Sequence, residues 1–140
     1  MQLLTRPGHT PASREGRHPA RALRASPKET RYARLHREMT AKLVVLYTQP
    51  GDAATFDEHY LGAHAQLTDK IPGLQRWESA RIVAAPDGGE QSYFRVAELY
   101  FSDPAALQAA LGSEQGQAVT GDFQAIAPPG SRVFVAVVDD

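Results

Sequence analysis

The sequence predicts an α+β domain in which four antiparallel strands carry helices on one side. Three observations lead there. Short β-branched and aromatic runs are cut by Pro-Gly and Gly-Gly turns, helical periodicity fills the gaps, and the elements follow the order β-α-β-β-α-β. The chain of 140 residues, 42% hydrophobic, is long enough for one such domain.

The first strand is "KLVVLYT" (42–48), closed by the turn signal Pro50-Gly51. Asp52 is a natural helix cap. Phe56, Tyr60, Ala63, His64, Leu67 and Ile71 then recur at intervals of three and four and form one face of an amphipathic helix. Pro72-Gly73 ends it. "LQRWESARIVA" (74–84) reads as a strand, "PDGG" (86–89) as a turn and "SYFRVAELYF" (92–101) as the returning strand. Ser102-Asp103-Pro104 starts a short helix, since proline suits the first helical turn. A second helix restarts at Ser113 after Gly112, and "RVFVAVV" (132–138) is the last strand. This order is the ferredoxin-like split βαβ arrangement.

A half-solvated antiparallel sheet alternates apolar with polar residues. Leu43 through Tyr47 and Val133 through Val138 instead stay apolar at every position. Helices cover one side only. Each apolar side chain left in water forgoes roughly 1.5–3 kcal/mol, against a typical total stability of about 5–15 kcal/mol. A second copy is the simplest cover, so the sequence predicts a homodimer with two sheets face to face, a dimeric α+β barrel.

Charge divides the chain. Residues 1–40 hold nine Lys/Arg against three Glu (+6), and residues 41–140 hold six against thirteen Asp/Glu (−7), which sum to −1. The basic stretch 1–38 is expected to be a disordered extension, since its composition cannot bury enough surface, with Met39 as a plausible true start and 39–140 as the domain. A transit peptide is the second reading, but Pro7, Pro11, Pro19 and Pro27 oppose a regular amphipathic helix. Nucleic-acid binding is the third, without aromatic interleaving to stack bases. No cysteine is present, which excludes disulfides and thiolate chemistry. No apolar run reaches the roughly 20 residues of a membrane span, so the expected location is cytoplasmic, with neither nucleic acid nor membrane as a partner.

The segments "VLYTQPGDAATFDEHYLGAHAQLTDKIPGLQRWE", "YFRVAELYFSDPAALQAALGSEQGQA" and "VFVAVV" resemble the EthD family of small dimeric α+β barrels. The carriers are Phe56, Tyr60, His64, Pro72-Gly73-Leu74, Arg95, Glu98, Phe101 and the "AALQAAL" helix, and the likeness spans residues 42–138. It implies a label of EthD family reductase and a barrel shared with cofactor-free monooxygenases, lactone isomerases, polyketide cyclases, decarboxylases and haem enzymes. The fold does not select among them.

His64 shares a helical face with Phe56 and Tyr60 and is the first candidate for acid–base chemistry near neutral pH. A core histidine satisfied by a neighbour is the competing reading, and the resemblance at "AHA" brings the two level. His59, five residues earlier, falls roughly 140° round an α-helix and is expected on the solvated surface. Glu98 interrupts an apolar strand and shares a face with Tyr100. Leu99 and Phe101 point the other way, toward the helices. Glu98 and Tyr100 are therefore expected toward the barrel interior, with Glu98 as a second acid–base group or as a structural link. Arg95, on the face opposite Glu98, is expected at an edge binding a helix end. Tyr47, Tyr60, Trp77 and Tyr100 are the expected substrate-binding residues.

There is no dinucleotide fingerprint, Walker loop, nucleophile elbow or H-E-x-x-H. No cofactor and no metal are expected. The function predicted is a cofactor-free oxidoreductase or related enzyme acting on a small hydrophobic metabolite. The alternative is a non-catalytic barrel that binds such a molecule or assists an oxidase, and a haem-binding reading predicts a Soret band on haem addition.

Overall fold

The computed structural model describes residues 29–139. Most of the basic stretch expected at 1–38 lies outside those residues. The compact unit begins at Arg31, where the short helix α1 (Arg31–Leu35) buries Ala33.

Four strands, β1 (Ala41–Thr48), β2 (Arg76–Arg81), β3 (Tyr93–Phe101) and β4 (Arg132–Val137), form one antiparallel sheet in the order β2-β3-β1-β4. This is the ferredoxin-like order that the run of elements predicts. β1 alternates strictly: Ala41, Leu43, Val45 and Tyr47 are buried, and Lys42, Val44, Leu46 and Thr48 are half-buried on the other side. The period-2 geometry of a strand gives one row to the helices and the other to the outer face. In β3, Ala97, Leu99 and Phe101 take the inner row and Glu98 and Tyr100 the outer. β2 is shorter than the predicted 74–84. Its backbone pairing runs only from Gln75 to Ile82, and Val83 beyond it is 85% exposed.

The helices begin where their caps dictate. Asp52 accepts a bond from the Thr55 amide (3.1 Å) and opens α2 (Ala53–His59). Asp103 accepts from Ala106 N (2.8 Å) and opens α4 (Pro104–Gly112) with Pro104 in the first turn. Ser113 accepts from Gly116 N (3.0 Å) and opens α5 (Glu114–Ile126). Side-chain acceptors there satisfy amides that a helix start leaves orphaned. Gly116 lies so close to α4 that a Cβ would fall 1.9 Å from the Ala110 carbonyl oxygen. Only glycine permits that corner.

Between α2 and α3 (Ala65–Asp69), residues Tyr60–His64 form a π-turn. The Ala65 amide bonds back to the Tyr60 carbonyl, five residues away. The buried positions Phe56, Tyr60, His64 and Thr68 are each four apart. In a pure α-helix four residues overshoot one turn by about 40°, and the drift would rotate such a row off the sheet. The wider i→i+5 turn absorbs it. Ala63, expected on the inner face, is exposed as a result, and Thr68 takes the buried place.

Candidate functional site

Beneath the helices lies a cavity of about 300 Å³. Its floor is the inner row of the sheet: Leu43, Val45 and Tyr47 from β1, and Ala97, Leu99 and Phe101 from β3. Tyr60, His64, Thr68 and Ile71 form one wall, and Val119, Thr120, Phe123 and Gln124 of α5 the other. The lining is mostly apolar. Thr68 donates its hydroxyl proton to the His64 carbonyl (3.1 Å) and Thr120 to the Gly116 carbonyl (3.0 Å), both within their own helices. Apart from the exposed Gln124, polar function facing the space concentrates at Tyr47 and His64, where Nε2 lies 3.5 Å from the tyrosine hydroxyl.

His64 is 4% exposed, and its other ring nitrogen is fixed from α5. Nδ1 donates to Asp122 Oδ2 at 2.7 Å. The same carboxylate accepts from His59 Nε2 at 2.9 and 3.0 Å. Burial works to raise the Asp122 pKa, but the bonds from His64 and then His59 outweigh it and hold the group below its ordinary value. Asp122 is thus an anion that only accepts, which puts the proton of a neutral His64 on Nδ1 and leaves a lone pair on Nε2. Burial, with smaller contributions from Tyr60 and Asp122, pushes the Tyr47 hydroxyl well up. Tyr47 stays protonated and is a donor toward Nε2. The long separation leaves Nε2 weakly engaged.

The π-turn changes what the spacing of the two histidines means. An α-helix would separate His59 and His64 by roughly 140°, but residues five apart lie one turn from each other across a π-turn. His59 is therefore half-exposed and bonded to the carboxylate of Asp122 that also holds His64 rather than solvated alone. Asp122 is the residue that sequence reasoning missed. Its one signal is a carboxylate, a poor helix former, beside the inward-facing Phe123 and three residues after Val119 in the last helix.

Of the other candidates, Tyr47, Tyr60 and Trp77 line the cavity. Tyr60 stacks on His64 with ring centroids 5.2 Å apart. Trp77 is anchored by Nε1 donating to Asp69 at 2.7 Å. Glu98 and Tyr100 do not join them. Strand alternation puts both on the outer face, where Glu98 accepts from Lys42 Nζ at 2.6 Å and Tyr100 lies under the Arg76 guanidinium at 3.8 Å. Glu98 and His64 therefore cannot act as two acid–base groups on one ligand in this cavity, because the sheet lies between them. Arg95 does bind a helix, donating to Asp57 at 2.9 Å and lying over the Tyr60 ring at 4.8 Å, but it is buried on the inner strand β3 and not at an edge as expected. Among the described residues, no group of three or more His, Cys, Asp or Glu has metal-site geometry, and no helix is long and apolar enough to cross a membrane.

Residues 48–127 match the EthD domain. The chain belongs to the EthD family. Within and around that family, the chain is 33% identical over 89 residues to an uncharacterized 11.0 kDa protein of the thcB-thcC intergenic region of Rhodococcus erythropolis, covering 64% of this chain and 85% of that one. It is 39% identical to a solved EthD family protein of Bacillus halodurans, at a TM-score of 0.67 over 70% of this chain and 97% of that one. Two more distant structures share the fold alone. SnoaB of Streptomyces nogalater, a cofactor-independent oxygenase, matches at 18% identity and TM-score 0.54, over 73% of this chain and 95% of SnoaB. A dimeric ferredoxin-like protein of Thermobifida fusca matches at 12% and 0.56, over 71% and 92%. The fold of this EthD protein is therefore one on which small enzymes occur, and it fixes no chemistry.

Proposed function

We propose that the cavity binds a small, largely apolar metabolite and that His64 Nε2 moves a proton on it. One observation carries this reading: His64 Nδ1 is held by Asp122 at 2.7 Å while Nε2 looks into an apolar space. A carboxylate that fixes the tautomer and steadies the imidazolium makes histidine an effective base. The step takes a proton from an acidic C–H or O–H of the ligand and leaves the electron pair on it. Returning that proton to another atom is an isomerisation. With dioxygen as co-substrate, the same carbanion is the entry to cofactor-free oxygenation, in which the ligand supplies the electrons and dioxygen is reduced. Tyr47 orients the ligand by its hydroxyl, and Tyr60 and Trp77 shape the pocket. About 300 Å³ corresponds to about ten waters of liquid, which suits one or two rings.

The working form in this proposal is a cytoplasmic homodimer. The outer sheet face carries Val44, Leu46 and Phe134, the last 46% exposed, and β4 also exposes Val133 by 45% and Val135 by 38%. Val133 lies at the cavity lining, so a second copy over β4 narrows its mouth. A non-catalytic carrier is the alternative, favoured by how few polar groups the cavity offers.

Native mass spectrometry of protein from its own host supplies the retained ligand and the subunit count. Turnover of that ligand is then compared in wild type, His64→Gln and Asp122→Asn. The enzymatic reading expects a loss of at least about 100-fold in the first and a smaller loss in the second. Binding without turnover in wild type selects the carrier.

A further inference from the structure

We propose that the cavity selects an uncharged aromatic ligand by one hydroxyl group, which lies between the Tyr47 hydroxyl and His64 Nε2 and bonds to both. The inference names the ligand class for proton transfer at His64 and rests on that reading, while its test measures binding alone.

The geometry of the polar pair asks for an oxygen that carries a proton. Tyr47 and His64 are both buried, and the tyrosine oxygen lies 3.5 Å from Nε2. That gap is long for a hydrogen bond, yet one further oxygen fits about 2.8 Å from both atoms. His64 Nδ1 is committed to Asp122, so Nε2 offers a lone pair. The Tyr47 hydroxyl offers a proton. A ligand hydroxyl accepts from the tyrosine and donates to the histidine, replacing one slack contact by two bonds. An ether or ketone oxygen accepts from Tyr47 and leaves Nε2 unpaired in an apolar space. A proton passed from the ligand hydroxyl to Nε2 leaves its electron pair on the oxygen, to which Tyr47 still donates.

The rest of the lining disfavours charge and favours a ring. None of the described residues at the cavity is Asp, Glu, Lys or Arg. Arg95 is bound to Asp57, and Lys42 lies across the sheet with Glu98. A ligand carboxylate would lose its water without gaining a cation, since Asp122 already matches any charge on His64. Other polar groups at the walls are engaged: Thr68 and Thr120 with carbonyls, Trp77 with Asp69, and Tyr60 with Ser79. Gln124 is exposed at the rim. Tyr47, Tyr60, Trp77, Phe101 and Phe123 surround the space with aromatic faces and edges, which pack well against another ring.

Trp77, the single tryptophan of the chain and a lining residue, supplies the probe. Its indole N–H signal is followed by NMR in the full chain as 4-ethylphenol, 4-ethylanisole or 4-ethylbenzoate is added. The three share one ring and differ in the oxygen group. The phenol is expected to bind at least about tenfold more tightly than the ether, which leaves a buried acceptor unmet, and than the carboxylate. Tyr47→Phe weakens the phenol about fivefold, as expected for one hydrogen bond. His64→Leu removes the advantage of the phenol over the ether. Equal affinities for phenol and ether, tighter binding of the benzoate, or no indole shift with any of the three overturns the inference. If the preference holds while turnover of the retained ligand survives His64→Gln, the selection stands and the proton-transfer reading fails. Turnover lost in His64→Gln without any preference for the hydroxyl does the reverse.

Discussion

The sheet separates two polar arrangements that differ in how deeply their central charges are buried. On the inner side, Asp57 is bound by Arg95 and Arg81, and Asp122 by two histidines, among side chains that are mostly buried. On the outer side, Lys42 and Glu98 meet at 2.6 Å with about a quarter of each side chain in water, at 25% and 28%. Inside, Asp57, Asp122, Arg95 and His64 have lost most of their solvent and depend on their partners, while Arg81 and His59 stay 47% and 40% exposed. Outside, water substitutes for a missing partner. A carboxylate on a strand is thus no guide to function until its face is known.

Breaking the inner side has the largest expected effect. Asp57→Ala strands Arg95, whose side chain is 7% exposed and whose Nε already has no partner. Removing one member of such a pair costs about 3 kcal/mol, read as a lower midpoint in urea unfolding. A loss no larger than that of an exposed pair would erase the distinction between the two faces.

Acid titration sharpens the contrast. Burial works to raise Asp57, but the bonds from Arg81 and Arg95 outweigh it, and Asp122 behaves likewise with its histidines, so both carboxylates sit below their ordinary values when folded. The unfolded chain then binds more protons. The stability they contribute is complete above the unfolded values near pH 4 and is lost as the pH falls through the folded ones. The hydrogen bond to Glu98 raises Lys42 against the opposing effect of burial, so the stability this lysine contributes is lost as alkaline pH passes its folded value. Unfolding followed across pH in Asp57→Ala and Asp122→Asn shows a flatter acid limb, whereas Glu98→Gln flattens the alkaline limb to which Lys42 contributes.

The smallest effect is expected at the outer pair itself. Glu98→Gln changes the stability of the isolated subunit by less than about 1 kcal/mol. In the proposed dimer its larger consequence belongs to association, because a second copy over this face would withdraw the remaining water from Lys42. Sedimentation of wild type and variant at matched concentrations checks this, and a dimer of unaltered strength puts the interface elsewhere.

Much of this was legible beforehand. Caps at Asp52, Asp103 and Ser113 act locally, through a side-chain oxygen and an amide within three residues, so the sequence reveals them. Alternation in β3 told which residues share a face, and it already separated Arg95, Leu99 and Phe101 from Glu98 and Tyr100. Misreading entered where a helix was given one uniform period. The π-turn at Tyr60–His64 answers to the sheet beneath it and has no local sequence code, so Ala63 was taken for a core residue and His59 for a bystander.

By itself the sequence determined the order of elements, the two sides of each strand and the presence of a histidine on a buried helical row, since each follows from interactions among near neighbours in the chain. Only the tertiary structure decided what that histidine is. Asp122 lies 58 residues away, and its meeting with His64 and His59 depends on how α5 packs across a locally widened helix. No periodicity within one segment records the distance between two.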